Sequence, residues 1–336
     1  MSIVHLFPGQ GDFALGPLLR AARMHRPVHD ALAGVLRQTD GVAAEFGIRP
    51  LGPWLLGTSP PSGRELAAAA PGAPQLALFC SSLAVSRALG TVGLPPERAL
   101  GVGFGEIAAL TAAGVFEAAG GAHIACLLAR SLARCDGSML VLRTGEEQAH
   151  VLMCAAHTRG LALACVNDPG ETVVGGASAA VAALERTARR RGVSATRLHL
   201  PFLSHHPSLT DEAHCFAASI RRVPAAPARF PVHSAVLGRA YGKEDDVHRG
   251  LADCLVHPAR VPEVLRQVWT SPVTLLLEAG TGQALTRSVR SSLPAAAATA
   301  HAPLADPGFP WRHPERLRNQ TAPATTCAPP APEASR

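Results

Sequence analysis

Residues 99–110 read Ala-Leu-Gly-Val-Gly-Phe-Gly-Glu-Ile-Ala-Ala-Leu. A small apolar lead-in meets glycines at alternate positions, Gly101, Gly103 and Gly105, and then Glu106 and a helix-forming run. The stretch predicts a strand, a sharp turn and a helix, because glycines two before and two after an apex let neighbouring backbone pack close. In a nucleophile elbow the apex carries the attacking side chain. Here the apex is Gly103, which has neither oxygen nor sulfur. The same glycines suit a tight strand–helix turn that carries no chemistry at all.

The rest of the chain decides between these readings. At 336 residues it can bury a large core, and 47% hydrophobic against 17% charged residues suits an α/β protein and excludes wholesale disorder. Residues 3–7 read as a strand ending in the rigid turn Pro8-Gly9-Gln10-Gly11, able to aim a backbone N–H into a cleft. Residues 15–24, 28–36 and 73–89 carry helical periodicity, with Gln75 in the first turn of the third; 107–113 and 124–132 continue it after the elbow.

Between 138 and 200 the texture changes to strand, helix, strand, strand, helix, strand, the ferredoxin-like order. Such a unit is compact and sits most easily as an insert. The expected architecture is an α/β-hydrolase-like large domain from 1–136 and 202–295, with a ferredoxin-like insert at 137–201. Beyond Pro294 the Ala/Pro/Thr-rich chain reads as a disordered tail over 296–336.

Charge and cysteines narrow the class further. A net charge of +6 suits an acidic partner, while 4% aromatic residues and no stacking platform argue against nucleic acid. Eight scattered cysteines, without C-x-x-C or metal-ligand spacing, read as reduced thiols, and no metal site is expected. Neither a signal peptide nor an apolar run long enough for a membrane span is read, which places the protein in the cytoplasm.

Six motifs in order then carry a family resemblance: Phe-Pro-Gly-Gln-Gly at 7–11, Gln-Leu-Ala-Leu-Phe at 75–79, Gly-Val-Gly-Phe-Gly-Glu at 101–106, Asn-Asp-Pro-Gly at 167–170, Ser-His-His-Pro at 204–207 and Leu-Glu-Ala-Gly-Thr-Gly at 277–282. Together they resemble the malonyl-CoA:acyl-carrier-protein acyltransferases over roughly residues 3–293. In that family an elbow serine takes an acyl group from coenzyme A, a histidine activates it, and a carrier-protein phosphopantetheine thiol collects the acyl group.

The resemblance implies that His205 is the catalytic histidine, held by a backbone carbonyl near 258–261. It implies that the backbone N–H groups of Gln10 and Phe104 form the oxyanion hole, and that Gln75 and Asn167 line the cleft.

Three departures qualify it. Gly101-Val102-Gly103 stands where the family has Gly-His-Ser, leaving the nucleophile position vacant. The arginine that clamps a malonyl carboxylate falls at Leu128, and Arg130, two residues on, is turned by about 200° around a helix. Phe202-Leu203-Ser204-His205 is closer to the tetrapeptide of bulkier acyl units than to that of malonyl.

Leu128, Phe202 and Ser204 therefore imply a short uncharged acyl group such as propionyl or acetyl. The implied function is an acyl-CoA:acyl-carrier-protein acyltransferase-like protein of antibiotic polyketide biosynthesis, impaired at Gly103. It would hold no bound cofactor, use acyl-CoA as substrate and meet phosphopantetheine on its acyl carrier protein. Two alternatives remain: a scaffold that binds a ketosynthase, carrier protein or acyl-CoA, and a thioester hydrolase in which His205 activates water.

Overall fold

The computed structural model describes residues 2–270 and 274–320. Its strands are Ser2–Phe7 (β1), Arg98–Gly101 (β2), Ser138–Leu142 (β3), Leu161–Asp168 (β4), Glu171–Gly176 (β5), Ala195–Arg197 (β6), Val232–Ser234 (β7), Arg239–Ala240 (β8), Ala259–Arg260 (β9), Thr274–Glu278 (β10) and Ala300–His301 (β11). They form two sheets within one mixed α/β fold.

The larger sheet runs β11-β10-β1-β2-β7-β8, parallel throughout except for β8. β1 is buried from Ile3 to Phe7, as a central parallel strand covered on both faces must be. Its register sets Phe7 opposite Gly101, so the strand ends are level and the turn after β1 lies beside the elbow after β2. Ligand sites of parallel sheets lie at these carboxyl ends.

Helix Ala73–Thr91 is buried on nearly all sides, packed between Arg26–Glu45 and the helices Gly105–Ala112 and Ala118–Leu132. A polar staple ties it to the sheet. The fully buried His5 ring lies 2.9 Å from Ser86 Oγ and 3.0 Å from the Leu94 carbonyl oxygen. Burial lowers its pKa to about 4, so the ring is neutral at physiological pH.

The smaller sheet runs β6-β3-β5-β4-β9. β3 to β6 pair antiparallel in the ferredoxin-like order expected of 137–201. One face, with Leu140, Leu142 and Val174, packs on Leu152, Val181 and Leu184 in a core of its own; Met139, Ala164, Cys165 and Val173 belong to the main core.

β9, which follows the insert by more than fifty residues, joins this sheet parallel to β4, pairing Cys165 with Ala259 and Val166 with Arg260. Arg260 then grips Glu146 with two 2.8 Å hydrogen bonds. The two parts are thus stitched by a strand too short to show any periodicity in sequence.

No helix of the described residues is long and apolar enough to cross a membrane.

The expected tail from 296 needs correction as far as 320; residues 321–336 lie outside the described residues. β11 pairs with the edge strand β10, which places residues 300–301 in the main sheet. Behind it Leu304, Phe309, Trp311 and Leu317 are buried. Trp311 stacks edge-on to Phe309 at 5.0 Å and tilts over His25 at 5.8 Å. A handful of large apolar side chains at irregular spacing outweighs the Ala/Pro-rich composition.

Truncating Trp311 removes a buried indole from this contact. Trp311→Ala should lower the unfolding free energy by about 3 kcal/mol, read as a shifted urea midpoint with an unchanged m-value.

Candidate active site

The elbow depends on close backbone approach at two of its glycines. A Cβ on Gly101 would lie 2.6 Å from the Glu106 Cα, and one on Gly105 would overlap the Phe7 carbonyl. At the apex Gly103 has φ +55°, the left-handed region that glycine enters without strain.

Beneath the turn the buried Glu106 accepts hydrogen bonds from Ser234 Oγ and Tyr241 OH, each 2.7 Å. Ser234 Oγ accepts in turn from the amides of Val236 and Leu237. The elbow is thereby tied to β7 and β8 through a saturated network. Burial outweighs these bonds and raises the Glu106 pKa to about 7.

His205 closes over the apex. Its Nδ1 donates to the His257 carbonyl at 2.8 Å, which leaves the lone pair on Nε2. That carbonyl is one residue before the expected range of 258–261. It lies two residues before β9, so the splice onto β4 positions it.

A Cβ placed on Gly103 would lie 2.7 Å from His205 Nε2. The basic nitrogen therefore reaches into the volume an apex side chain would fill. His205 itself has φ +54°, a costly conformation for a residue with a Cβ. Desolvation lowers its pKa, keeping the ring neutral and basic. Its neighbour His206 is turned away, with ring nitrogens engaged by Ser208 Oγ at 2.7 Å and the Gly160 carbonyl at 3.2 Å.

A cavity of about 330 Å³ opens here between the two sheets. Gly103, Phe104 and His205 line it, as do Gln10, Asn167, Phe202 and Ser204. The amides of Gln10 and Phe104 make no hydrogen bond within the described residues, so both are free to donate.

Gln75 stands one step back, its Nε2 donating to Gln10 Oε1 at 3.1 Å. Leu128 does not line the cavity; it is buried within the helix Ala118–Leu132. Nor does Arg130, whose guanidinium lies 5.6 Å over the Phe46 ring.

The insert's wall was not foreseen from sequence: Met139 and Val141 of β3, Arg143 just after it, Cys165 of β4, and Glu171 and Val173 of β5 all line the cavity. They follow the two-residue period of a strand, so placing Asn167 on the wall identifies Cys165 as its neighbour on the same face.

Residues 61–302 match the family described as acyl transferase domain. The chain belongs to that family. Among curated relatives, the type I phenolphthiocerol synthesis polyketide synthase of Mycobacterium marinum is 28% identical over 86% of this chain. The orsellinic acid synthase of Emericella nidulans is 31% identical over 71% of it. The matched segments are 13% and 11% of those proteins, so this acyl transferase domain spans about a tenth of the relatives' length.

Among solved structures, the malonyl-CoA:acyl carrier protein transacylase of Xanthomonas oryzae has the same fold. The alignment covers 95% of this chain and 99% of that one, with a TM-score of 0.79 at 23% identity. A malonyl-transacylase in complex with a type II polyketide synthase acyl-carrier protein aligns over 88% of this chain and 94% of that one, with a TM-score of 0.76 at 22% identity.

Two predictions follow from the elbow's packing and burial. Gly105→Ala forces a methyl onto backbone that cannot move and should cost more than about 4 kcal/mol, whereas Gly103→Ala meets a ring that can retreat and should cost about 1–3 kcal/mol. Urea titration of both variants ranks them.

Glu106 is held neutral by the fold below about pH 7 but ionises near 4.5 once unfolded. Its stabilising contribution is present below pH 4.5 and is lost as pH rises through 7. Glu106→Gln lacks that loss, so its stability relative to wild type should rise by roughly 3 kcal/mol between pH 4.5 and 8 in paired urea titrations.

Proposed function

We propose that this chain is an acyltransferase-like protein of antibiotic polyketide biosynthesis, moving a short uncharged acyl group such as propionyl or acetyl from coenzyme A to the phosphopantetheine thiol of an acyl carrier protein. The observation that carries the reading is His205: a neutral imidazole oriented by the His257 carbonyl, with its basic nitrogen at the elbow apex in a cavity that Gln10 and Phe104, with unspent amides, also line. In this role Gln10 and Phe104 stabilise the oxyanion, while Asn167, Phe202 and Ser204 contact substrate. Gln75 positions Gln10, and the apolar Leu128 leaves the family's carboxylate-clamp position without a cation.

Gly103 supplies no nucleophile, so no acyl-enzyme ester forms on the elbow. Transfer then requires direct attack. His205 Nε2 takes the proton of the carrier thiol, and the thiolate adds to the thioester carbonyl, whose oxygen meets the two amides. The coenzyme A thiolate leaves and recovers the proton. Losing an enzymic serine in a comparable triad costs on the order of a million-fold, so turnover should be slow.

A second reading has its own support. With Nε2 lodged in the apex volume, the same pocket suits a scaffold that holds acyl-CoA, a carrier protein or a ketosynthase without turnover. Water in place of the thiol would make the protein a thioester hydrolase.

Intact-mass spectrometry with propionyl-CoA and a carrier protein distinguishes these. Wild type should gain no acyl mass, and Gly103→Ser should gain one, weakly because the apex Cβ displaces His205 and Val102 replaces the usual histidine. Slow acylation of the carrier should disappear in His205→Ala. An acyl mass on wild type would place the nucleophile elsewhere, and no transfer by either protein would leave the scaffold.

A further inference from the structure

The cavity's charged groups are Asp12, Arg143, Glu171 and Arg287, besides His205. Asp12 is committed, its Oδ2 accepting from the amides of Gln283 and Ala284 at 2.7 Å each. Glu171 is the most deeply placed carboxylate of the insert wall, with its side chain 15% exposed. One of its oxygens accepts from Asn167 Nδ2 at 2.7 Å, and the other is ion-paired with Arg143. Asn167 Oδ1 accepts in turn from the Cys165 thiol at 2.9 Å. A hydrogen-bonded chain thus crosses the wall from Cys165 through Asn167 and Glu171 to Arg143, with every member lining the cavity.

We propose that Glu171 is a specificity-determining residue that excludes acyl groups bearing a free carboxylate. The inference rests on the acyl-CoA reading above and names its substrate class.

Two carboxylates would compete for one cation. Arg143 is the cation of the insert wall, and Glu171 already occupies it. A dicarboxylic acyl group such as malonyl would have to lie against the Glu171 carboxylate, or take Arg143 and strand Glu171 with Asn167 alone. Either arrangement sets like charges together at the cavity wall or leaves the Glu171 carboxylate, 15% exposed, without its cation, Arg143 itself being 59% exposed. An acetyl or propionyl group has no charge and meets neither cost. Arg287 does not offset this: it sits exposed on the helix Ala284–Ser292, outside the insert wall, and would meet any phosphate-bearing acyl-CoA alike.

The test is the ratio of Kd for malonyl-CoA to Kd for propionyl-CoA, measured by calorimetry on the full chain. Wild type should favour propionyl-CoA. Glu171→Gln keeps the contact with Asn167 but frees Arg143, and should lower the ratio about tenfold. Arg143→Gln leaves Glu171 unneutralised and should raise the ratio, so the two variants move in opposite directions. If Glu171→Gln fails to fold, the Arg143→Gln arm carries the test alone.

Arg287→Gln should weaken both ligands together and leave the ratio unchanged. A wild-type preference for malonyl-CoA, or a ratio that neither wall variant moves, overturns the proposal while leaving the acyl-CoA reading intact. Binding of neither acyl-CoA by any of the proteins overturns both.

Discussion

The hydrogen bond from His205 Nδ1 to the His257 carbonyl is where the two halves of the molecule become one site. A backbone carbonyl can orient a ring only if its own peptide is held. Here that peptide is fixed from three sides: the His257 amide donates to the Asp253 carbonyl, Arg260 N to the Ala235 carbonyl, and Ala259 pairs with Cys165 in the insert. The strand that binds insert to main body therefore also aims the imidazole. A shift of the insert would turn the ring away from the apex, a coupling visible in neither part taken alone.

Much of this was legible in sequence because it rests on local chemistry. The elbow follows from glycine spacing, β1 from its dense apolar run, and the insert from its change of period. The helix Leu15–Met24 coincides with its periodic stretch.

What escaped was decided by partners distant in the chain. The two-residue β9 has no pattern of its own, and its pairing with β4 moved the orienting carbonyl to His257. The segment after Pro294 looked unstructured because it lacks periodicity, yet β10 presents an open edge that Ala300 and His301 fill. The Arg143–Glu171 pair was missed for the same reason: it forms only where β5 and the end of β3 turn one face to the cavity.

The retained features of the site do not all weigh equally as signs of use. Gly101, Gly105 and Glu106 are required by the turn whether or not chemistry occurs, since a Cβ at either glycine meets backbone and Glu106 satisfies Ser234 and Tyr241. Their presence argues for the fold alone. His205 and the amides of Gln10 and Phe104 differ. A histidine at φ +54° costs on the order of 1–3 kcal/mol, and two amides beside a cavity with no protein acceptor lose part of their hydration. The proposed transfer would use both, the carrier thiol giving Nε2 its proton and the thioester carbonyl oxygen meeting the two amides. Under the proposed reading the vacant apex removes the covalent step, and the strained histidine with its two idle donors is what supports a pocket that receives an acyl group.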